Sequence, residues 1–449
     1  MKDKKGMYPK AHFAPDYGWM NDPNGLIYHD GRYELYFQYN PGGIEWDQIA
    51  WGHAHSRDLV HWTQEESVLF ADETGPMFSG CGIVNDRGLP GYPKDALVFF
   101  YTAASALLPE KERCYNKIMT AISTDGGRTL QKTGKCVLQS LALENRDPKV
   151  FYHEESRAYI LVLYLDGHDF GIFRSEDLEE FQLSDRIALE GGFECPDLFR
   201  LPVEGSKEEK WVFWAGDGSY YAGNFDGYHF VQEQSRQYAY GARALPYAAQ
   251  SWSGTQKGQV LNVAWLNSGT VDQQYTGVFS LPRQLSLVKR EEGEGNDKVL
   301  WHLKQTLPHE IAQAFQKKGV LSPENTQILV AENGEGAGML RFLTEGGEDF
   351  AFTLDFEGDG GEIRSLQFAY HASTGNLILQ FGKTGKIEGV GKERQPIEIL
   401  YDQGIVEIST AEGEQLRIRD LIVLREKEVQ AVRLLKGAQN CRIQVDEIR

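Results

Sequence analysis

The chain has 449 residues, of which 41% are hydrophobic and 12% aromatic, with a formal net charge of −19. That length accommodates two or three domains, and the apolar content excludes a globally disordered chain. The acidic balance repels phosphate backbones and anionic lipid, so neither nucleic acid nor a membrane is expected as a partner.

Met1-Lys2-Asp3-Lys4-Lys5 is basic, but no apolar run follows it, so no signal peptide is expected. Gly18-Trp19-Met20-Asn21-Asp22-Pro23-Asn24-Gly25 comes next. Pro23 fixes its own φ and biases Asp22 away from helix, and Asn24-Gly25 is a turn signal. Asp22 is therefore expected on a rigid bend at the head of a strand starting near Leu26. Alone, the stretch reads more readily as an ordinary Asn/Asp/Pro/Gly turn.

Self-similarity along the chain adds weight to it. Asp22-Pro23 leads into a strand, a turn and a strand. The same order follows Ser79-Gly80-Cys81-Gly82, Asp147-Pro148, Pro196-Asp197 and Tyr247-Ala248-Ala249-Gln250. A second signature, Ser56-Arg57-Asp58, returns as Ser123-Thr124-Asp125, Ser175-Glu176-Asp177 and Asn224-Phe225-Asp226. These read as turns between the third and fourth strands of each unit. Four short strands per unit describe propeller blades, whose first strands line a central channel. The expectation is an all-β chain: a five-bladed propeller over 1–303, with acidic strand starts converging on one axial pocket. A β-sandwich with coincidental hairpins is the alternative.

Thr306 to Phe315 has a candidate capping Thr, an early Pro and apolar positions at helical spacing, so a linker helix is expected over 304–318. Residues 319–449 alternate short strands with Gly-rich turns, which argues a two-sheet β-sandwich. Its expected job is to stabilise the propeller or to bind carbohydrate weakly. The five cysteines, Cys81, Cys114, Cys136, Cys195 and Cys441, are scattered and form no C-x-x-C. They read as free thiols of a cytoplasmic protein.

Trp19-Met20-Asn21-Asp22-Pro23-Asn24-Gly25, Asn145-Arg146-Asp147-Pro148 and Phe193-Glu194-Cys195-Pro196-Asp197, in this order, resemble glycoside hydrolase family 32, the invertases, inulinases and levanases. The resemblance extends to Phe37-Gln38-Tyr39-Asn40-Pro41, Trp46, Phe78-Ser79-Gly80, Tyr247-Ala248-Ala249-Gln250 and Tyr401-Asp402. It implies a five-bladed propeller followed by a β-sandwich, and a β-fructofuranosidase acting on sucrose or short fructooligosaccharides.

By motif, the resemblance makes Asp22 the nucleophile, Glu194 the general acid/base and Asp147 the transition-state stabiliser. It puts Arg146 beside Glu194, with Asn21, Gln38 and Ser79 serving sugar hydroxyls and Tyr247 a further substrate-binding residue. Trp46, Phe78 and Trp265 become deep apolar walls. Retention of configuration needs carboxyls about 5–5.5 Å apart, one ionised and one protonated. Phe193 and a negative Asp22 are expected to keep the proton on Glu194. No cofactor and no metal are implied, and His53 and His55 read as packing. Departures from the family pattern are Cys81 in place of serine, Asp47-Gln48 after Trp46, and Arg243-Ala244-Leu245 where an acid often precedes the Tyr-Ala pair. A fructosyltransferase and a non-catalytic carbohydrate-binding propeller are the competing functions; the sequence leaves the oligomeric state open.

Overall fold

The computed structural model describes residues 8–105, 116–142, 144–240, 246–256, 258–271, 274–291, 299–321, 327–329, 337–344, 349–357, 363–371, 376–381, 397–402, 405–410, 415–417, 429–436 and 441–448. It is built almost wholly of strands, in two compact units. One holds Pro15–Tyr238 and Pro246–Leu303; the other holds Met1–Ala14, Ala239–Leu245 and Lys304–Arg449.

The first unit repeats one four-stranded antiparallel meander. Strands β1 (Gly18–His29), β2 (Arg32–Asn40), β3 (Ala50–Ser56) and β4 (Thr63–Leu69) form the first group. The second is β5 (Met77–Val84), β6 (Leu97–Ala103), β7 (Lys117–Ser123) and β8 (Gln131–Leu138). The third is β9 (Arg146–His153), β10 (Ala158–Asp166), β11 (Asp169–Ser175) and β12 (Gln182–Ala188). The fourth is β13 (Asp197–Pro202), β14 (Glu209–Trp214), β15 (Ser219–Phe225) and β16 (Phe230–Gln232), with β17 (Gln237–Tyr238) on β15. In the last group β18 (Pro246–Ser251) pairs with β19 (Val260–Val271), and β20 (Tyr275–Phe279) pairs with β19 on one side and runs beside β1 on the other. β21 (Arg283–Glu291) and β22 (Val299–Thr306) complete it. Parallel pairing of Gly18 with Tyr275 and of Trp19 with Thr276 joins the first and last groups into one nine-stranded sheet, so the series closes on itself. Closure leaves no exposed edge between the two ends of the repeat.

Side-chain alternation explains how neighbouring groups pack. On β10, Tyr159, Leu161 and Leu163 pack with Ile83, Val98 and Phe100 of the second group. The intervening Ile160, Val162 and Tyr164 pack with Leu198, Phe213 and Phe225 of the fourth. A strand with both faces buried needs an unbroken apolar run, and Ala158-Tyr-Ile-Leu-Val-Leu-Tyr-Leu165 supplies one. The outer β4, β8 and β12 carry mixed, exposed residues instead.

The repeated Ser-x-Asp signature sits between third and fourth strands as expected. Ser56 Oγ donates to Asp58 at 3.0 Å, Ser123 to Asp125 at 2.7 Å and Ser175 to Asp177 at 3.1 Å. Each aspartate then caps downstream amides such as those of His61, Thr129 and Glu179, and Asp226 does the same for Tyr228 and His229. These are local turn bonds made by the side chain for the backbone.

Three expectations need correction. β1 begins at Gly18 rather than near Leu26, because Pro23 is accommodated where the β1–β2 register shifts. Between 304 and 318 the helix is only His309–Ala314, flanked by β22 and a strand at Phe315–Leu321; Pro308 is its N-cap and no side chain caps it. Residues 8–14 group with the C-terminal unit. Asp402 explains this: it accepts the amides of Lys10, Ala11 and His12 at 2.8, 2.8 and 2.9 Å, and the His12 ring at 2.9 Å. That unit otherwise contains a six-stranded and a five-stranded antiparallel sheet. Phe352 and Phe368 stack 4.5 Å apart across the latter. Cys114 and the Arg243-Ala244-Leu245 departure lie outside the described residues.

Candidate active site

First strands of the meanders deliver the polar side chains. Asn21 and Asp22 lie on β1 between two register shifts, from Met20 to Pro23 and from Asn24 to Ile27. Gly25 follows at φ 55°, where a Cβ would come within 2.8 Å of the Tyr36 ring. β5 brings Phe78 and Ser79, and β9 brings Arg146 and Asp147. Glu194 lies in the loop three residues ahead of β13 rather than on it, β18 carries Tyr247 and β19 Trp265. Gln38 comes from β2, and Trp46 from the loop after it.

All eleven residues singled out in the sequence line one cavity of about 250 Å³. Trp46 is not the deep wall expected of it: the residue is 53% exposed and its ring meets Phe78 edge-on at 6.5 Å, so it stands at the mouth.

Several of these residues hold a rarely used backbone conformation. Asp147, Glu194, Cys195 and Ala248 have φ of 62°, 51°, 40° and 52°. Such residues cost about 1–3 kcal/mol each and persist only where the surroundings over-determine them. The Gly216 amide donates to the carbonyls of both Phe193 and Glu194 at 2.9 Å, and its carbonyl accepts the Ala248 amide at 2.8 Å. The Asp147 amide donates to Thr102 Oγ1 at 3.1 Å.

The carboxyl groups have distinct partners. Ser79 Oγ donates to Asp22 Oδ2 at 2.7 Å, and the Gln38 amide lies 3.0 Å from the same hydroxyl. Asp147 Oδ2 accepts the Cys195 amide at 3.1 Å and lies 3.9 Å from Arg146 Nε. Arg146 Nη2 bonds Glu194 Oε1, while Nη1 holds Glu144 at 2.7 Å. Tyr247 Oη donates to Glu194 Oε2 at 2.7 Å. Phe193 gives Glu194 no apolar cover: the residue is 40% exposed and its ring packs edge-on against Tyr164.

Electrostatics follow from crowding like charges where water is scarce. Desolvation, then the Asp147 and Glu194 charges, push Asp22 up to about 7 against the help of the Ser79 hydroxyl. Desolvation pushes Asp147 up to about 6, with Arg146 opposing and Glu194 adding to it. Tyr247 is raised by burial and by Cys195 and Glu194, so it stays a proton donor. Two lining residues also hold buried polar atoms with no partner, Asn21 Oδ1 and Trp265 Nε1. An acceptor and a donor left open beside three carboxyls suit a hydroxyl-rich ligand. Asp22, Asp147 and Cys195 place one donor atom each within 4.8 Å, a mixed oxygen and sulfur set that suits hard and soft cations unequally.

The family model for the glycosyl hydrolases family 32 N-terminal domain matches residues 12–300, more than half of the chain. The chain belongs to glycosyl hydrolase family 32. It is 29% identical over 463 residues to a levanase of Bacillus subtilis, an alignment covering 92% of this chain and 66% of the relative. It is 32% identical over 335 residues to an extracellular exo-inulinase of Aspergillus niger, covering 63% of this chain and 62% of the relative. The chain thus spans just under two thirds of the length of these relatives. Among solved structures it is similar to a β-fructofuranosidase from Schwanniomyces occidentalis complexed with fructosyl-erythritol. The TM-score is 0.82 at 22% identity, covering 100% of this chain and 99% of that one. It is also similar to an exo-inulinase from Aspergillus awamori, with a TM-score of 0.82 at 23% identity and the same coverage. At those identities the likeness shows a shared fold, β-propeller and β-sandwich.

Within this family 32 chain, sequence reading passed over three groups that bear on the site. Glu144 shares Arg146 with Glu194. Thr102 bridges Asp147 to the Ser79 carbonyl, donating to the latter at 3.1 Å. Gly216 ties Glu194 to Ala248. Glu144, two residues before Arg146, had a local signal in its spacing; Thr102, near the end of β6, and Gly216, in a turn, had none.

Proposed function

We propose that the chain is a retaining, exo-acting β-fructofuranosidase that removes terminal β-D-fructofuranosyl units from sucrose and short fructooligosaccharides. The observation that carries this is the meeting of Asp22, Asp147 and Glu194 on one small cavity with open donor and acceptor groups. A volume near 250 Å³ suits one sugar ring at a chain end better than the middle of a polymer. The family and the activities named for its relatives support the same reading.

Asp22, ionised, attacks the anomeric carbon of the fructosyl unit. Glu194, positioned by Arg146 and Tyr247, gives its proton to the glycosidic oxygen as that bond breaks, and an ester links fructose to Asp22. Glu194 then takes a proton from water, whose oxygen attacks the same carbon and releases Asp22. Two displacements at one centre retain configuration. Asp147, with one carboxylate edge held by the Cys195 amide, accepts fructose hydroxyls and steadies the positive charge that develops on the ring.

Product analysis across sucrose, kestose, inulin, levan and sucrose phosphate tests the proposal, with NMR of the first-formed anomer. Fructose released one unit at a time, first as the β-anomer, is the expected result. Oligosaccharides appearing before fructose would remove the exo-acting part. Transfer of fructose to sugar in place of water would make the chain a fructosyltransferase. A cytoplasmic location belongs to the proposal, supported by the free thiols of Cys81, Cys136 and Cys195; cell fractionation checks it.

A further inference from the structure

Outside the cavity, the described residues include a buried ion pair on strands that serve the cavity. Lys149 of β9 and Asp197 of β13 are 5% and 1% exposed, and their charges meet at 3.3 Å. Ser251, the last residue of β18, sits between them. Its Oγ donates to Asp197 Oδ2 at 2.7 Å and its amide to the same oxygen at 2.9 Å. Lys149 Nζ donates to the Ser251 carbonyl at 2.5 Å and to its Oγ at 2.9 Å.

The three strands so joined are those that carry Asp147, Tyr247 and, just ahead of β13, Glu194. Lys149 follows Asp147 by two residues, Asp197 follows Glu194 by three, and Ser251 follows Tyr247 by four. Just upstream on each of the three segments is a residue in the left-handed region: Asp147, Glu194 with Cys195, and Ala248. Strained backbone of this kind needs an anchor close by. A buried ion pair is a poor source of net stability, since well-packed apolar residues of similar volume do as well or better. Its distinct contribution is directional, because short bonds between strands fix their lateral spacing.

We infer that Lys149, Asp197 and Ser251 form a positioning pin that sets Asp147, Glu194 and Tyr247 at working distance from one another. None of the three lines the cavity, so they act through the strands and not on the sugar. The pin also reaches the second group: the amide of Val150, next to Lys149, donates to the buried Cys81 Sγ at 3.1 Å. This gives Cys81 a bond-accepting place against the third group.

The inference rests on the fructosidase reading, and the test separates the two. Lys149→Met combined with Asp197→Leu removes both charges at once, so neither is left buried alone. Misplacing catalytic groups by about 1 Å can cost ~100-fold, so kcat on sucrose is expected to fall ~10- to 100-fold. KM should stay within about threefold, and Tm within a few degrees of wild type. A folded double variant with kcat within about threefold of wild type overturns the inference, because a purely structural pair would move Tm alone. Should the double variant fail to fold, Ser251→Ala decides. It keeps both charges and is expected to lower kcat about fivefold or more, with recovery in Ser251→Thr; an unchanged kcat overturns the pin. If the wild type proves inactive on every fructoside, the functional reading falls and a substrate-free measurement decides the pin. The Asp22 carboxyl carbon, identified by its loss in Asp22→Asn, is titrated by NMR. A midpoint moved by about half a unit or more in the pin variant supports the pin, and an unmoved one overturns it.

Discussion

Each of the two units gathers a cluster of acids, buried in one and buried to half-buried in the other, and the two clusters are treated in opposite ways. In the C-terminal unit Asp402 is fully buried, yet it accepts three backbone amides and the His12 ring. Burial works to raise it, but the His12 bond and charge and those amides win, and Asp402 lies below the usual carboxylate range. His12 is raised in turn: desolvation works against its charge, and the bonds to Asp402 and Glu407 outweigh that. In the propeller unit Asp22 has one hydroxyl donor and two negative neighbours, and it is pushed up to about 7. Burial alone therefore does not say what an acid is for. Compensation of charge in the resting protein marks the first cluster as structural, while the shortage of donors around the second supports the proposal that a ligand supplies them there.

Removing the proposed nucleophile is expected to break this contrast most severely. Asp22→Asn is expected to lower kcat on every fructoside by ~10³-fold or more, about 4 kcal/mol in barrier. The same change should raise Tm. An acid whose folded pKa is raised to about 7 from 3.8 binds more protons folded than unfolded. Its charge therefore weakens the fold progressively as pH climbs from about 4 through 7. The gain in Tm should be larger at pH 8 than at pH 5, as read by calorimetry; equal gains would mean that Asp22 is not a destabilised anion. Glu194→Gln comes next. On sucrose it too should lose ~10³-fold, but only about tenfold on an aryl fructoside whose leaving group needs no proton. Equal losses on both substrates would deny Glu194 the proton-donor role.

What could be read from the sequence follows from range of interaction. The Ser-x-Asp turns are bonded within four residues, so Asp58, Asp125 and Asp177 announced their places directly. Asn21, Asp22, Arg146, Asp147 and Glu194 sit in short motifs whose order along the repeat, together with the family resemblance, brought them to one cavity. His12 was not legible, because its partners lie 390 and 395 residues away. Lys149 was passed over for a similar reason: a lysine after Asp-Pro on a strand looks like a solvated one until Asp197 and Ser251 are seen beside it. Of the two causes expected to keep a proton on Glu194, a negative Asp22 and an apolar Phe193, the second is not realised. The chain turns at Glu194 and Cys195 with positive φ, and that turn sends the Phe193 ring toward solvent.

The structural cluster can be broken in its turn. His12→Leu removes the ring from Asp402 and Glu407 and is expected to destabilise the protein by about 3 kcal/mol at pH 6, read by urea unfolding. A His with a raised folded pKa contributes fully below the unfolded value of 6.5, and the contribution fades as pH rises through the folded value. The wild-type advantage should therefore shrink at higher pH, and a difference independent of pH would leave His12 a packing residue only.

The smallest expected effect is the sharpest test of why Asp22 is poised where it is. Of the influences on Asp22, the Ser79 hydroxyl and, less, the Cys195 thiol favour the charged form, while desolvation, Asp147 and Glu194 disfavour it. Because the nucleophile works ionised, kcat/KM in the free enzyme should rise with pH through the Asp22 transition near 7. Ser79→Ala deletes the 2.7 Å bond, so the acid limb should move upward, by about 0.5–1 unit, or ~0.7–1.4 kcal/mol. Well above that limb the variant should lose only a few-fold in rate, since full ionisation is regained there. Asp147→Asn, although far less active, removes a negative neighbour and should move the same limb downward. Opposite displacements identify Asp22 as the titrating group. If both variants move the limb the same way, or Ser79→Ala leaves it in place, some other group sets the acid limb and the contrast between the two clusters loses its electrostatic basis.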